Sequence, residues 1–217
     1  MRRRDEYGKL WLKIKGIPVI RDLRESPPYI KALGKESRTM TSPSYESVQD
    51  PASRFSEHKA VILLVDISGT MKIMTAMAPL DFAVFLDDFY QLCARQVAHV
   101  GGEVVTYSGD AALAIFDADA AVAAVDAVNA IRADFQAICT AHGVQADIGA
   151  NIHLGDVVDG VFGPTAVRDI TGSAVYHTFR MGGGPGLRIS EPVYRKLPSA
   201  ARNPWKKQKA QVTYVLP

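Results

Sequence analysis

The sequence predicts a ferredoxin-like α+β fold, in which an antiparallel sheet carries helices on one face. The run from Ala60 to Ile67 is short, apolar and β-branched up to Asp66, as in a buried central strand. Two later stretches have the spacing of amphipathic helices, and a strand pair with a glycine turn lies between them. Strand, helix, two strands, helix and strand is the element order of this fold class.

Composition excludes several classes of protein. The chain has 217 residues, of which 47% are hydrophobic, and a formal net charge of +2. This charge is too small to indicate a nucleic-acid partner, and no apolar run is long enough to suggest stable membrane association. Cys93 and Cys139 lie in apolar helical stretches without metal-ligand spacing, so we expect buried free thiols and a cytoplasmic protein.

The first part of the chain differs from the rest and predicts two regions. Residues 1–56 are interpreted as an N-terminal arm, and residues 57–217 as the main domain. An alternation of Leu10, Leu12 and Ile14 with Trp11, Lys13 and Lys15 suggests a short strand. The segment from Ser26 to Ser56 is rich in serine, proline and charge, and is expected to be loop.

Periodicity predicts the elements that follow the central strand. Apolar residues recur at helical spacing from about Ala78 to His99. The stretch GGEVVTYSGDAALAIF then indicates a β-hairpin that turns at Ser108-Gly109. An alanine-rich helix is expected over residues 117–142, with Gly143 as its stop.

The last third of the chain predicts four more strands and a helix. ADIGANIHLGDVVDGVFG is interpreted as two strands joined by a turn near Leu154-Gly155. The segment after Asp169 is expected to form a third helix that ends at residues 182–184. A final hairpin is predicted around Trp205 to Val215.

Two aspartates point to a metal site. Asp66 ends the central strand, and Asp110 follows the hairpin turn, so this fold brings both carboxylates to one point. The backbone N–H groups of Ser68-Gly69-Thr70 precede a helix and could cradle phosphates. A single aspartate at a strand end is usually only a turn or cap residue. The pair, together with a third block further on, favours a nucleotide site.

These blocks resemble the class III adenylyl and guanylyl cyclases, from Lys59 to about Arg188. The matching stretches are, in chain order, DISG from Asp66, GG at Gly101 followed by SGD from Ser108, IHLGDVVDGVFG from Ile152, and DITGSAVYHTFRM from Asp169. The resemblance implies a homodimer with two sites. In each site one subunit contributes the aspartates, and the other contributes the arginine and the base-reading residues.

The resemblance also implies a role for each matched position. Asp66 and Asp110, helped by the carbonyl of Ile67, would bind two Mg²⁺ or Mn²⁺ ions. These ions activate the ribose 3′-hydroxyl and neutralise the triphosphate. Arg180 would stabilise charge on the α-phosphate as pyrophosphate leaves. Asp169 occupies the position of the base-recognising carboxylate.

Several positions depart from the family pattern, and the first two would contact the base or the ribose. Thr106 stands where adenylyl members have a lysine, and Tyr176 where the family has a ribose-orienting asparagine. Thr70 and Met71 replace the usual Phe and Thr after the first motif. Each change also has an interpretation without a role in substrate binding, such as a neutral strand residue or an aromatic residue that packs at a dimer interface. His153 and His177 show no metal-ligand spacing and are interpreted as structural.

The departures favour a smaller pocket and therefore a pyrimidine. The short chain with DISGT and VYHTFRM resembles the bacterial pyrimidine cyclases of Pycsar anti-phage defence, which make cyclic UMP or cyclic CMP as an alarm signal. This resemblance implies UTP as substrate, with CTP next. An adenylyl cyclase with unusual base contacts is one alternative. Another is an inactive nucleotide-binding interaction module, although both aspartates and the arginine are present.

Overall fold

The computed structural model describes residues 51–208 and 213–216. Eight strands and five α-helices lie in this part of the chain, with 3₁₀ turns at Pro51–Arg54 and Ser199–Arg202. In chain order they are β1 (Phe55–Ser68), α1 (Thr70–Ala76), α2 (Pro79–His99), β2 (Glu103–Ser108), β3 (Ala111–Asp117), α3 (Ala121–Ala141), β4 (Asp147–Phe162), β5 (Val167–Thr171), α4 (Ser173–Arg180), β6 (Gly186–Ser190), α5 (Glu191–Lys196), β7 (Lys206–Gln208) and β8 (Thr213–Leu216).

One sheet contains the eight described strands, and seven of them lie in the order β2-β3-β1-β4-β6-β8-β7. Strand β5 pairs with the second half of β4. The pairs are antiparallel except for β4 with β6, which run parallel. Strand β1 lies between β3 and β4, so that Asp66 is flanked by Ala111 on one side and Gly149 on the other. The end of β1 is therefore enclosed by two neighbouring strands.

The two faces of the sheet are covered by different helices. Alternate residues of β1 point to opposite faces, because the side-chain period of a strand is two. Val61, Leu63 and Val65 pack with α2, α3 and α5 in the larger core. Ile62 and Leu64 pack with β5 and with the start of α4 in a smaller core. The prediction of helices on one face therefore holds for α2 and α3, whereas α4 covers the opposite face.

The predicted turn near Leu154-Gly155 is wrong. Residues 147–162 form one continuous strand, and the chain turns only before Val167. Gly155 lies inside this strand because α4 approaches closely there. A Cβ atom at Gly155 would lie 2.6 Å from the Cβ atom of Ala174. The glycine thus marks a close contact, one of the ordinary uses of glycine inside a strand.

The other element predictions are largely confirmed in the described residues, but the helix expected from Asp169 to residues 182–184 is shorter, because residues up to Thr171 belong to β5 and α4 ends at Arg180. The helices α2 and α3, the β2–β3 hairpin and the closing β7–β8 hairpin are all present. The predicted central strand is longer than expected and begins at Phe55, inside the segment interpreted as loop. The predicted strand from Leu10 to Lys15 lies outside the described residues, as do residues 1–50 of the arm.

Both cysteines are free and buried, as predicted. Burial raises the pKa of the Cys93 thiol to about 12, so this thiol stays protonated and unreactive at neutral pH. Among the described residues, no helix combines the length and apolar character needed to cross a bilayer.

Candidate active site

The two predicted metal aspartates line one cavity. Its volume is about 490 Å³, and it lies at the end of β1 on the face that α4 covers. The lining residues are Leu64, Asp66, Ser108, Asp110, Ala111, Asn151, Phe179, Arg180, Gly182 and Gly183. The structure thus brings together Asp66, Asp110 and Arg180, which are far apart in the sequence.

Asp66 depends on a glycine in the neighbouring strand. Gly149 of β4 pairs with Asp66, and a Cβ atom on Gly149 would lie only 2.4 Å from Asp66 Oδ1. The same Cβ atom would lie 2.6 Å from the carbonyl oxygen of Gly184. The absence of a side chain at Gly149 therefore makes room for the carboxylate and for the glycine-rich loop of residues 182–184.

Asp110 is held by backbone and side-chain contacts. The amide of Ile67 donates to the carbonyl oxygen of Asp110 at 3.1 Å, which joins the turn to the end of β1. The Thr70 hydroxyl contacts both the Asp110 carboxylate and the Ile67 carbonyl oxygen, the latter at 2.7 Å. Tyr90 of α2 donates its hydroxyl proton to the carbonyl oxygen of Gly109. The turn that carries Asp110 is thus fixed from both sides.

The electrostatics of the pair suit a cation. Burial raises the pKa of Asp66, the charge of Asp110 raises it further, and Arg188 opposes both effects. A cation between the carboxylates would relieve this repulsion, and carboxylate and carbonyl oxygens are the ligands that Mg²⁺ and Mn²⁺ prefer. Within residues 51–208 and 213–216, no three acidic, histidine or cysteine side chains converge on one point. The side-chain ligands would therefore be Asp66 and Asp110, and the Ile67 carbonyl has a second lone pair to add.

Arg180 ends α4 and also lines the cavity. Its guanidinium donates to the Tyr176 hydroxyl at 3.0 Å and lies 5.5 Å from the centre of the Tyr176 ring. Both side chains are exposed, and Tyr176 is 64% accessible. The tyrosine therefore restrains the arginine without burying it, and leaves the guanidinium able to contact an anion in the cavity.

The residues expected to read the base do not line the cavity. Thr106, Asp169 and Tyr176 are not among the residues that line the cavity. Thr106 is half-buried in β2, and Asp169 in β5 accepts a hydrogen bond from the Ile170 amide at 2.8 Å. A salt bridge joins β2 to β5, so Thr106 and Asp169 lie on neighbouring elements. One chain therefore presents a carboxylate–arginine set with Tyr176 beside its arginine, while Thr106 and Asp169 lie away from the cavity on β2 and β5.

The predicted phosphate turn has the expected shape. Gly69 lies between β1 and α1 with φ 87°, a left-handed conformation that favours glycine. Ser68 is half-buried at the end of β1, and Thr70 begins α1. Neither Ser68 nor Gly69 lines the cavity, so only Thr70 is tied to the carboxylate pair, through Asp110.

The sequence interpretation missed two polar residues near the cavity. Asn151 of β4 lines it, and its side chain is buried among apolar neighbours. Arg188 of β6 lies near enough to Asp66 to lower its pKa, and donates to the carbonyl oxygens of Gly183 and Gly184 at 2.6 and 3.1 Å. A polar residue at an inward position of a strand pattern is the signal that could have found both.

The two histidines form a pair, although their spacing suggested none. The rings of His153 and His177 lie 4.4 Å apart, between β4 and α4. Burial lowers the pKa of His153 to about 4, and the neighbouring His177 contributes in the same direction. His153 Nδ1 is buried and has no hydrogen-bond partner in the structure. At neutral pH the ring is uncharged, which agrees with a structural role.

Comparison with known proteins shows the same fold. The adenylyl cyclase CyaB from P. aeruginosa superposes with a TM-score of 0.65 at 19% identity, over 75% of this chain and 96% of that one. The guanylyl cyclase domain of the RhoGC fusion protein from Blastocladiella emersonii superposes with a TM-score of 0.66 at 20% identity, over 76% of this chain and 97% of the other. The guanylyl cyclase Cya2 gives 0.63 at 20% identity, over 74% and 90%.

A curated protein also matches by sequence. An adenylate cyclase from Anabaena cylindrica is 30% identical over 157 residues, which is 65% of this chain and 31% of that protein. The chain thus spans about a third of the length of this relative. No family model matches the chain. The structural likeness, at 19–20% identity, establishes that the chain has the fold of the class III adenylyl and guanylyl cyclase catalytic domains.

Proposed function

We propose that this chain is a nucleotide cyclase, which converts a nucleoside triphosphate to its 3′,5′-cyclic monophosphate and pyrophosphate. The observation that carries the proposal is the cavity that Asp66, Asp110 and Arg180 line together. Two carboxylates for cations and one guanidinium for a phosphate are what an intramolecular phosphoryl transfer requires. The names of the structural neighbours and of the curated relative, all adenylyl or guanylyl cyclases, support the same reaction.

The carboxylates supply the cation sites of this reaction. Two bound Mg²⁺ or Mn²⁺ ions would lower the pKa of the ribose 3′-hydroxyl and neutralise charge on the triphosphate. Asp66 and Asp110 would hold them, with the Ile67 carbonyl as a further ligand. Thr70 keeps the Asp110 carboxylate in one orientation through the contact described above. The turn of Ser68, Gly69 and Thr70 is proposed to contact the phosphates with its backbone amides.

Arg180 is proposed to act on the α-phosphate, which is the group transferred to the 3′-hydroxyl. Negative charge builds up on the α-phosphate and on the leaving pyrophosphate during the transfer. A guanidinium aimed at these oxygens stabilises the charge, and the effect is large where water is displaced. Tyr176 restrains the guanidinium before substrate arrives, which lowers the entropy lost when the contact forms.

We propose that the site is shared between two copies of the chain. The support lies in the separation of Thr106 and Asp169 from the cavity, because base-reading residues outside it can serve a partner's site. In the single chain Arg180 lines the cavity of its own Asp66, so a site within one chain is the competing arrangement. The two arrangements differ in whether two inactive variants can complement each other.

The proposed substrate is a pyrimidine triphosphate, UTP before CTP, and the proposed role is an anti-phage second-messenger signal. Support for the pyrimidine comes from the residues that would contact the base. Thr106 is too short to reach a small base as a lysine would reach adenine. Tyr176 occupies a position where the resembled family has a small amide, and its hydroxyl can donate or accept. Asp169 can accept a proton from uracil N3–H or from the cytosine amine. ATP is the second candidate, because the curated relative is an adenylate cyclase.

One experiment tests reaction and base together. The protein is incubated with each of the four NTPs and Mn²⁺, and cyclic products are resolved by mass spectrometry. We expect a cyclic pyrimidine monophosphate and pyrophosphate, with UTP turned over fastest. The double variant Tyr176→Asn, Thr106→Lys should lose part of this preference and accept some ATP. A wild-type protein that prefers ATP would end the pyrimidine assignment, and one that cyclises no NTP would end the cyclase assignment.

A further inference from the structure

One of the residues that line the cavity carries a buried amide, which has no part in the proposed mechanism. Asn151 is only 3% exposed, although it is polar and lies among the buried residues of β4. It pairs with Leu64 of β1 on one side and with Arg188 of β6 on the other. The residue also lines the cavity. Strand position alone would favour an apolar side chain here.

The Asn151 side chain is tied to the end of α4. Its Nδ2 donates to the carbonyl oxygen of Thr178 at 3.1 Å and to that of Gly182 at 2.9 Å. Both partners are carbonyls, which only accept, so the amide nitrogen rather than its oxygen must face them. The two carbonyls lie two residues before and two residues after Arg180. One side chain therefore holds the backbone on both sides of the arginine.

The hydrogen bonds from Asn151 supply donors to carbonyls at the end of a helix, where intrahelical donors are lacking. The last carbonyls of a helix lack intrahelical donors, and terminal turns open more readily than the middle of a helix. Arg180 is the last residue of α4, and its own side chain is exposed, so its position depends on how well this turn is held. Met181 is followed by three glycines, which add no stiffness of their own.

We infer that Asn151 is a positioning residue for Arg180, which fixes the end of α4 and thereby the point from which the guanidinium reaches the phosphate. The inference rests on the proposed function, in which Arg180 contacts the phosphate. Asn151 Oδ1 is buried and has no hydrogen-bond partner in the structure. A buried acceptor without a partner is unfavourable, so the stability of the fold alone does not account for the amide. Its two donors to the flanks of Arg180 do account for it.

The test compares Asn151→Leu with Thr178→Val. Leucine has nearly the shape of asparagine but donates nothing. Thr178→Val is the matched control: it removes a buried hydroxyl from the same helix, whose bond to the Ala174 carbonyl spans 2.9 Å, and leaves the backbone carbonyls in place. The measurements are kcat and KM with the best NTP, and hydrogen exchange of the amides in residues 179–183. If Asn151→Leu does not fold, Asn151→Asp replaces it, because aspartate keeps the shape but cannot donate when ionised.

We expect Asn151→Leu to lower kcat about 10- to 100-fold with KM changed less than about threefold, since a displacement near 1 Å costs about 10²-fold in rate. Exchange in residues 179–183 should rise in this variant and stay near wild type in Thr178→Val. In an Arg180→Ala background, Asn151→Leu should change the residual kcat by less than about twofold, because residues that act through one another are not additive.

Two kinds of result, one kinetic and one in hydrogen exchange, would overturn the inference. The first is an equal drop in kcat from Asn151→Leu with and without Arg180, or the same drop from Thr178→Val, either of which indicates a general structural effect. The second is unchanged hydrogen exchange in residues 179–183. If the wild-type protein cyclises no NTP, the proposed function fails instead, and the exchange comparison decides on the positioning role by itself.

Discussion

Gly149 should be as necessary for turnover as the aspartate it faces. In Gly149→Ala the new Cβ atom would lie 2.4 Å from Asp66 Oδ1, whereas ordinary van der Waals contact begins at 3.4 Å. The carboxylate must therefore retreat by about 1 Å, because on its other side the Cβ atom meets the Gly184 carbonyl at 2.6 Å. A displacement of about 1 Å at a reacting centre lowers the rate about 10²-fold.

The control is a second glycine of the same strand. A Cβ atom on Gly160 would lie 2.3 Å from the Phe55 ring and 2.7 Å from the Arg54 carbonyl, so Gly160→Ala is overpacked to a similar degree. Both variants should lose about 1–3 kcal/mol of unfolding free energy, the usual cost of overpacking. Gly160 is not among the residues that line the cavity, so its variant should keep near wild-type turnover.

The assay is Mn²⁺-dependent turnover of the preferred NTP, measured well below the melting temperature of each variant, with unfolding free energies from urea titrations. Turnover of Gly149→Ala within about threefold of Gly160→Ala would refute the reasoning. It would mean that the Asp66 carboxylate tolerates the displacement, and hence that its position beside Gly149 is not the one used in the reaction.

Three further predictions concern metal, assembly and pH. Mn²⁺ at about a hundred times its Kd should stabilise the wild type by about 2.7 kcal/mol, and Asp66→Asn should abolish the rise in melting temperature; a full shift in the variant would exclude Asp66 as a ligand. Asp66→Ala and Arg180→Ala should each be inactive alone and regain activity when mixed if the site is shared; no activity despite proven subunit exchange would place the site within one chain. The unfolded histidine binds protons near pH 6.5, whereas the pKa of His153 in the fold is about 4, so stability should fall as pH drops from about 6.5 toward 4. Urea titrations should show that His153→Phe flattens this fall while the exposed His99→Phe does not, and parallel curves for all three proteins would contradict the assignment.

The sequence sufficed to predict where the two aspartates meet. Asp66 ends an apolar strand, and Asp110 follows a hairpin turn, so strand pairing alone brings them together. Gly155 was misinterpreted because a glycine between apolar residues has the same appearance whether it turns the chain or admits another element. Only the packing of Ala174 against it separates the two cases. Periodicity is a property of a single strand or helix, whereas the contact of Gly155 with Ala174 joins a strand to a helix and therefore leaves no periodic signal.

The role of Asn151 could not be predicted from the sequence for a related reason. Its neighbours in sequence predict a buried strand, and a lone amide in such a strand carries no pattern of its own. Its role comes from two carbonyls at the end of α4, and backbone carbonyls leave no trace in a sequence. The same holds for Arg188, whose partners near the cavity are the carbonyls of a glycine-rich loop.

The central position of β1 has a consequence for how the chain folds. Its full-length partner is β4, and the whole of α2, β2, β3 and α3 comes between them in the chain. Pairings between segments so far apart require a long loop to close first, and chains dominated by them fold slowly. Until β4 arrives, the buried apolar part of β1 has one edge without a partner. Refolding at high concentration should therefore compete with aggregation through β1, and dilution should raise the yield of folded protein.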